Sequence, residues 1–314
     1  MSGTSELAAG AESGAAAGSR FRDYVALTKP RITVMVAVTA ALGFAAGSAE
    51  LAPGAGPSWT ALWALLAGVS LACMGSAALN QAYEVAIDAR MHRTKDRPVA
   101  AGRMSTGEGI FAGLALSLLG VFVIALGVGP AGGGLAAGLT ALTVALYAFV
   151  YTPMKRMSPL ALYVGALPGA MPPLIGSAAT GAGLTSAAWL LFGVMVVWQV
   201  PHFLAIAWLH RDDYGRAGLP MLAVTDRVGR AVTRRTLGGA ALLVLAGPIG
   251  WLCGAMGVVS CVALAGLGVW FAWETWRMAR RLDRASARRV FLTSLLYLPA
   301  ALGVIVAGRV WEAS

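Results

Sequence analysis

Long apolar runs separated by short polar connections organise this chain. They lie near residues 32–49, 59–83, 107–127, 132–152, 159–179, 187–209, 233–253, 256–274 and 290–311. Each is close to the roughly 20 residues a helix needs to cross a bilayer. The pattern predicts an all-α polytopic membrane protein with nine transmembrane helices. Glycine and proline inside several runs are compatible with this, because neighbouring helices can satisfy backbone groups freed at such positions. The shortest division falls at Cys253–Met256, where only Gly254 and Ala255 lie between adjacent apolar runs.

Composition agrees. The 314 residues are 58% hydrophobic and 12% charged, and the mean hydropathy is +0.72. These values exclude an ordinary soluble domain. The net charge of +10 is unevenly placed. Residues 1–31 carry 4 Lys or Arg, the 84–106 connection 5, the 153–158 connection 2, the 210–235 connection 6 and the 275–289 connection 6, leaving only Arg309 of the 24. The alternate connections carry none. The positive-inside rule puts the N-terminus and those four connections in the cytoplasm. Nine spans satisfy this bias; seven or eight would scatter the charge across both sides. Short juxtamembrane basic loops are not a nucleic-acid surface, so no nucleic-acid partner is expected. Residues 1–19, rich in Ala, Gly and Ser, predict a disordered tail ahead of a single transmembrane domain over residues 20–314. They lack the pattern of a secretory signal or a transit peptide. A bacterial inner membrane is the expected location, with the bilayer itself as a partner. Cys73, Cys253 and Cys261 have no metal-ligand spacing and are expected to be reduced packing residues.

Within this frame residues 80–98, NQAYEVAIDARMHRTKDRP, stand out. Asn80, Glu84 and Asp88 recur at i, i+4 and i+8, so they stack on one face of a helix near its end. Polar groups at that depth are costly unless they face a cavity or pathway. Stacked oxygen donors suit Mg²⁺, which binds few carboxylates and completes its shell with phosphate oxygens. Arg90, Arg93, Lys95, Arg97 and Arg103 follow. An acidic ledge beside a basic loop is what a magnesium–diphosphate site needs. The plain alternative is a helix end with solvated charges.

The sixth span ends in the same way, in WQVPHFLAIAWLHRDDYGRAGLPML, residues 198–222. Asp212 and Asp213 form the second acidic pair, with Arg211 and Arg216 beside them. Two such ledges facing each other would clamp one diphosphate through bridging metal, and neighbouring guanidinium groups would take the released pyrophosphate. His202 and His210, eight residues apart, share a helix face. A histidine inside a span is either a packing residue or a ligand, and three histidines cannot build a metal site of their own. Lys155 and Arg156 in YTPMKRMSP serve either as a membrane anchor or as a phosphate-binding arm at the same mouth. Lys29 and Arg31 carry the same ambiguity, and Pro30 fits the first position of a helix.

Four stretches, NQAYEVAIDARMHRTKDRP, YTPMKR, GALPGAMPPLIG and PHFLAIAWLHRDDYGRAGLPML, together resemble the UbiA superfamily of intramembrane prenyltransferases. The Met91-x-Arg93-Thr94-x-x-Arg97-Pro98 continuation and the Pro-His-Phe segment are similar to its haem-farnesylating branch. The resemblance implies nine helices around a central cavity. It implies transfer of farnesyl from farnesyl diphosphate to a vinyl group of haem B, giving haem O and pyrophosphate, with a haem A synthase as a downstream partner. It implies Asn80, Glu84, Asp88, Asp212 and Asp213 as the catalytic Mg²⁺-binding set, with Mn²⁺ an acceptable substitute. Arg93, Arg97, Lys155, Arg156 and Arg211 would bind the diphosphate, and His202 and His210 the haem. Two positions depart from the superfamily pattern. The ends of the usual Asp-x-x-x-Asp second motif are here His210 and Tyr214. An Asn common four residues before the glycine of the fifth-span motif is here Ala161.

Other readings are separable. A UbiA-type enzyme acting on a quinone precursor or a chlorin would not need the Arg93-Thr94 and Pro201-His202-Phe203 features. A CDP-alcohol phosphatidyltransferase would need Asp-Gly-x-x-Ala-Arg, but Asp88 is followed by Ala89. A carrier would place its charged motifs near the midplane rather than at one face.

Overall fold

The computed structural model of the chain describes residues 20–52, 56–226 and 228–313. The expected disordered tail, residues 1–19, lies outside the described residues. Helix α1, residues 20–28, precedes α2 (Pro30–Ser48), α3 (Trp59–Tyr83), α4 (Val85–Asp88) and α5 (Thr106–Gly127). Next comes α6 (Gly133–Ala145), which runs through a π-helical stretch, Leu146–Tyr151, into α7 (Thr152–Met154). Then follow α8 (Ala161–Ala170), α9 (Pro172–Ala179), α10 (Ser186–Leu209), α11 (Arg211–Arg216), α12 (Leu222–Thr225), α13 (Arg230–Leu252), α14 (Val258–Arg281) and α15 (Arg284–Ala313). The protein is all-α over the described residues and is a multi-pass membrane protein. Among those residues eight helices are long and apolar enough to cross a membrane.

The fifth expected span, 159–179, is not one helix. Pro168 lies inside α8, and Pro172 and Pro173 open α9. Proline removes an amide donor and crowds the preceding turn, so the run divides at Met171. End to end, the pair covers roughly 28 Å at 1.5 Å per residue. The division expected at 253–256 is present, as a turn between α13 and α14.

Local chemistry sets the helix ends. Pro30 begins α2. Ser58 caps α3 by accepting from the Ala61 amide at 3.3 Å. Ser105 and Glu108 form a reciprocal capping box on α5. Thr185 accepts from the Ala188 amide at the start of α10, 3.3 Å away. Inside the bundle, small residues let helix backbones touch. A Cβ on Gly176 of α9 would lie 2.0 Å from the Ala40 carbonyl oxygen of α2, and one on Gly75 of α3 would lie 2.6 Å from the Gly113 carbonyl oxygen of α5.

Two apolar clusters fill the interior. One joins α10, α13, α14 and α15 around Leu191, Leu243, Phe271 and Tyr297; the other joins α2, α3, α6 and α9 around Phe44, Leu65 and Leu174. Arg309, the one basic residue at the end away from the motifs, pairs with Glu50 at 2.5 Å and approaches Glu312 at 4.0 Å. Those carboxylates offset the charge that the positive-inside pattern leaves as an exception.

Candidate active site

α1 lies against the motif end of the bundle. The Arg103 guanidinium donates to Asp23 at 2.8 Å. The Gln81 side-chain amide donates to the carbonyls of Ala26 (3.2 Å) and Leu27 (3.0 Å). Lys29, between α1 and α2, has a left-handed backbone (φ 49). A lysine rarely adopts that conformation. Here it interrupts the helix between α1 and α2 while Nζ reaches the Asn80 side-chain oxygen at 3.2 Å.

The first motif keeps its expected helical start and then bends. α3 ends at Tyr83. Glu84 has φ −93 and ψ 10, a sparsely populated conformation, and α4 restarts at Val85. Asn80, Glu84 and Asp88 are nevertheless all buried, at 2%, 4% and 0% exposure, so the three oxygen-bearing side chains point into the protein and not to solvent. Each meets a different cation. Lys29 holds Asn80, Lys155 Nζ donates to Glu84 at 2.7 Å, and Arg97 Nη1 donates to both oxygens of Asp88 at 2.8 and 2.7 Å.

Asn80 is fixed on its other side as well. The Thr152 hydroxyl donates to the Tyr147 carbonyl at 2.8 Å, so its oxygen accepts from Asn80 Nδ2 at 3.3 Å. The π-helical stretch supplies this contact, since the extra residue per turn presents Tyr147, Tyr151 and Thr152 to the motif. Lys155 Nζ also sits 4.9 Å over the Tyr151 ring. Burial opposes the Lys155 charge, but Tyr151 and the Glu84 carboxylate outweigh it and raise its pKa. Lys29 has no full carboxylate partner. Burial, together with the nearby Arg97 and Lys155 charges, pushes its pKa down to about 7.

The second motif packs onto the first. Ile87 and Met91 form an apolar cluster with Ala217 and Leu219, with Tyr214 and Met221 against it. The backbone amide of His92 donates to Asp213 Oδ1 at 3.4 Å, and Arg216 pairs with the same carboxylate. Slight desolvation opposes it, but these donors hold the Asp213 carboxyl below its usual pKa. Asp212 is exposed and has no hydrogen-bond or ion-pair partner among the described residues. Both aspartates sit on a short helix, α11.

The remaining expected residues divide between mouth and interior. Arg93 and Arg156 are exposed. Arg156 donates to the Tyr83 carbonyl at 2.6 Å and lies 4.6 Å over the Tyr83 ring. Arg211 lies 4.9 Å over the Trp208 ring. His210 ends α10; partial burial, and then the Arg93 charge, lower its pKa. His202 is buried in the middle of α10, stacked on Trp198 at 4.4 Å, with Nδ1 2.7 Å from the Ser294 hydroxyl of α15. Lys29 is ambiguous in sequence, and sequence reasoning misses Thr152 and Tyr151. Their position beside the motif cations in YTPMKR is the available signal.

Among the described residues no three His, Cys, Asp or Glu side chains are grouped to hold a metal by themselves. The donor set still fits Mg²⁺. Asn80, Glu84 and Asp88 offer hard oxygen atoms, and cationic groups already occupy them. Mg²⁺ uses one or two carboxylates and takes its other ligands from water and phosphate, so no closed protein cage is needed.

The model of the UbiA prenyltransferase family matches residues 36–298. A protoheme IX farnesyltransferase of Solibacter usitatus is 39% identical over 297 residues, covering 92% of this chain and 99% of the relative. One from Opitutus terrae is 39% identical over 302 residues, covering 95% and 98%. Among solved structures, a digeranylgeranylglyceryl phosphate synthase superposes with a TM-score of 0.74 at 15% identity, covering 93% of this chain and 99% of that one. A UbiA homologue from Archaeoglobus fulgidus bound to GPP and Mg²⁺ gives 0.62 at 14%, covering 90% and 99%.

Proposed function

The chain belongs to the UbiA prenyltransferase family, and from that premise we propose that it transfers the farnesyl group of farnesyl diphosphate to a vinyl group of haem B. The products are haem O and pyrophosphate. The name carried by its relatives, protoheme IX farnesyltransferase, supports both substrates. The observation that carries the reading is the pair of buried carboxylates, Glu84 and Asp88, each held by a cation at one mouth of the bundle.

Asn80, Glu84, Asp88 and the second-motif carboxylates Asp212 and Asp213 would hold the ion, with Asp213 the better placed of that pair because it faces the first motif through His92. Mg²⁺, the ion bound with GPP by the similar archaeal protein, neutralises diphosphate oxygens when bound, and Mn²⁺ would do the same. With the ion in place, Lys155 and Arg97 would leave Glu84 and Asp88, Lys29 would leave the Asn80 side-chain oxygen, and all three would turn to the diphosphate. Arg93, Arg156 and Arg211 meet it from the rim. Their charge favours departure of the pyrophosphate with the electron pair of the broken C–O bond. The vinyl π electrons of the acceptor then form the C–C bond to the farnesyl carbon. Water captures the resulting cation beside the macrocycle and loses a proton, leaving the hydroxyl of the product. The apolar bundle around Leu27, Ala78 and Val99 keeps other water from the allylic cation before that step.

Counting α8 and α9 as one broken crossing gives nine crossings. The N-terminus and the four basic connections then lie on the cytoplasmic side of a bacterial inner membrane, where farnesyl diphosphate is met from the aqueous side. A haem A synthase that oxidises the product is the downstream partner. Purified full-length protein, given haem B or an aromatic quinone precursor with farnesyl diphosphate and Mg²⁺, tests the reading. Farnesylated haem and no farnesylated aromatic product is the expected result. Transfer to the aromatic acceptor alone would replace haem with a quinone precursor as the substrate.

A further inference from the structure

A hydrogen-bond chain in the α10–α15 interface assigns the protons of one buried imidazole. The Ser294 hydroxyl oxygen lies 2.6 Å from the Phe291 carbonyl oxygen and 2.7 Å from His202 Nδ1. Two oxygens cannot sit 2.6 Å apart unless a proton lies between them, because both would be acceptors. The single hydroxyl proton of Ser294 is therefore directed at Phe291, and the serine oxygen must accept from His202. That makes Nδ1 the protonated ring nitrogen and leaves Nε2 with a bare lone pair.

The surroundings hold the ring in one orientation. Trp198 stacks on it at 4.4 Å with planes 20° apart, Phe291 lies at 5.4 Å and Phe203 at 5.5 Å. Ser294 is held further, because the Trp198 indole N–H donates to its carbonyl at 2.8 Å. Nε2 has no hydrogen-bond partner among the described residues, yet it is not one of the sealed, unpaired polar atoms of the interior. It faces accessible space. An oriented imidazole acceptor in apolar surroundings has a use only for an incoming hydrogen-bond donor or an electron-pair acceptor. A metal-ligating histidine commonly gives its other N–H to a fixed oxygen, as His202 does to Ser294.

We propose that Ser294 fixes His202 in the Nδ1–H tautomer, so that Nε2 ligates the iron of the haem acceptor. The proposal rests on haem being the acceptor. Ligation forms one coordinate bond from the Nε2 lone pair and changes no oxidation state. His202 lies eight residues before His210 on α10, roughly 12 Å deeper along the helix. That depth puts the macrocycle in the apolar interior while the diphosphate stays at the mouth. His202 is then a substrate-binding residue, and Ser294 a positioning residue acting through it.

Titration of haem B into the purified full-length protein, followed by absorption and resonance Raman spectra, tests this. The wild type should show an imidazole-ligated spectrum. His202→Gly should lose it and weaken haem binding at least tenfold, and added imidazole should restore the spectrum. Ser294→Ala should keep ligation but shift the iron–imidazole stretch and weaken binding severalfold, with Ser294→Thr close to wild type. Farnesyl diphosphate affinity should be unchanged in all of them, which also controls for folding. Wild-type spectra and haem affinity in both His202→Gly and Ser294→Ala, with farnesyl transfer to haem intact, would overturn the ligation while leaving the proposed function standing. A wild type that binds no haem would instead remove the premise.

Discussion

Arg97 reaches back nine residues and shares a single nitrogen, Nη1, between the two oxygens of Asp88, at 2.8 and 2.7 Å. Asp88 is fully buried, so this guanidinium offsets a charge that would be very costly alone. In the proposed mechanism Asp88 would exchange this arginine for the metal ion. Asp88→Ala should therefore cost on the order of a thousandfold in turnover, while the protein still inserts and folds. Initial rates of the purified variant decide this, and near-normal turnover would remove the ledge from the mechanism.

Lys155 and Arg156 are neighbours with different surroundings. Lys155 is bound to Glu84 inside the site, whereas Arg156 is exposed and bound to the Tyr83 carbonyl. Lys155→Met should lower kcat/KM for farnesyl diphosphate on the order of a hundredfold, in the range seen on deleting a group that stabilises developing charge. Arg156→Met should change it only a few fold, as for other rim charges. Equal losses in the two variants would show that both groups meet the diphosphate alike.

Metal removal gives a separate check. The donors at the ledge are oxygen atoms, which favour hard cations. Activity should disappear after exhaustive treatment with EDTA and return with Mg²⁺ or Mn²⁺. Full activity in the chelated protein would rule out a metal-bridged diphosphate.

Gly176 tests the packing rather than the chemistry. An added Cβ would meet the Ala40 carbonyl at 2.0 Å, and a backbone atom cannot swing away as a side-chain tip can. Gly176→Ala should cost about 1–3 kcal/mol by overpacking the α2–α9 contact. Thermal unfolding in detergent measures this; a melting temperature equal to the wild type would mean that the two helices separate freely.

Much of this architecture is legible in the sequence because membrane helices announce themselves by length and apolarity. Trp59–Tyr83 and the Thr106–Gly127 helix lie where the apolar runs put them. The α8–α9 break is less visible, since an apolar run containing Pro168, Pro172 and Pro173 reads the same whether it kinks or divides. The first motif is legible because its three polar residues repeat at helical spacing on one stretch of chain. The contacts of Lys29 with Asn80, of Thr152 with Asn80 and of His202 with Ser294 join residues 51, 72 and 92 positions apart, and no local pattern encodes them. The difference between Asp212 and Asp213 likewise depends on which one faces His92 after α11 folds.

Production of farnesylated haem by this chain can be read in a cell. The measurement is mass spectrometry of haems extracted from a bacterial host lacking its own synthase, with and without this protein in its membrane. Haem O should appear only in the host carrying the wild-type chain. Extracts containing haem B alone, with the protein present in the membrane at normal levels, would contradict the account.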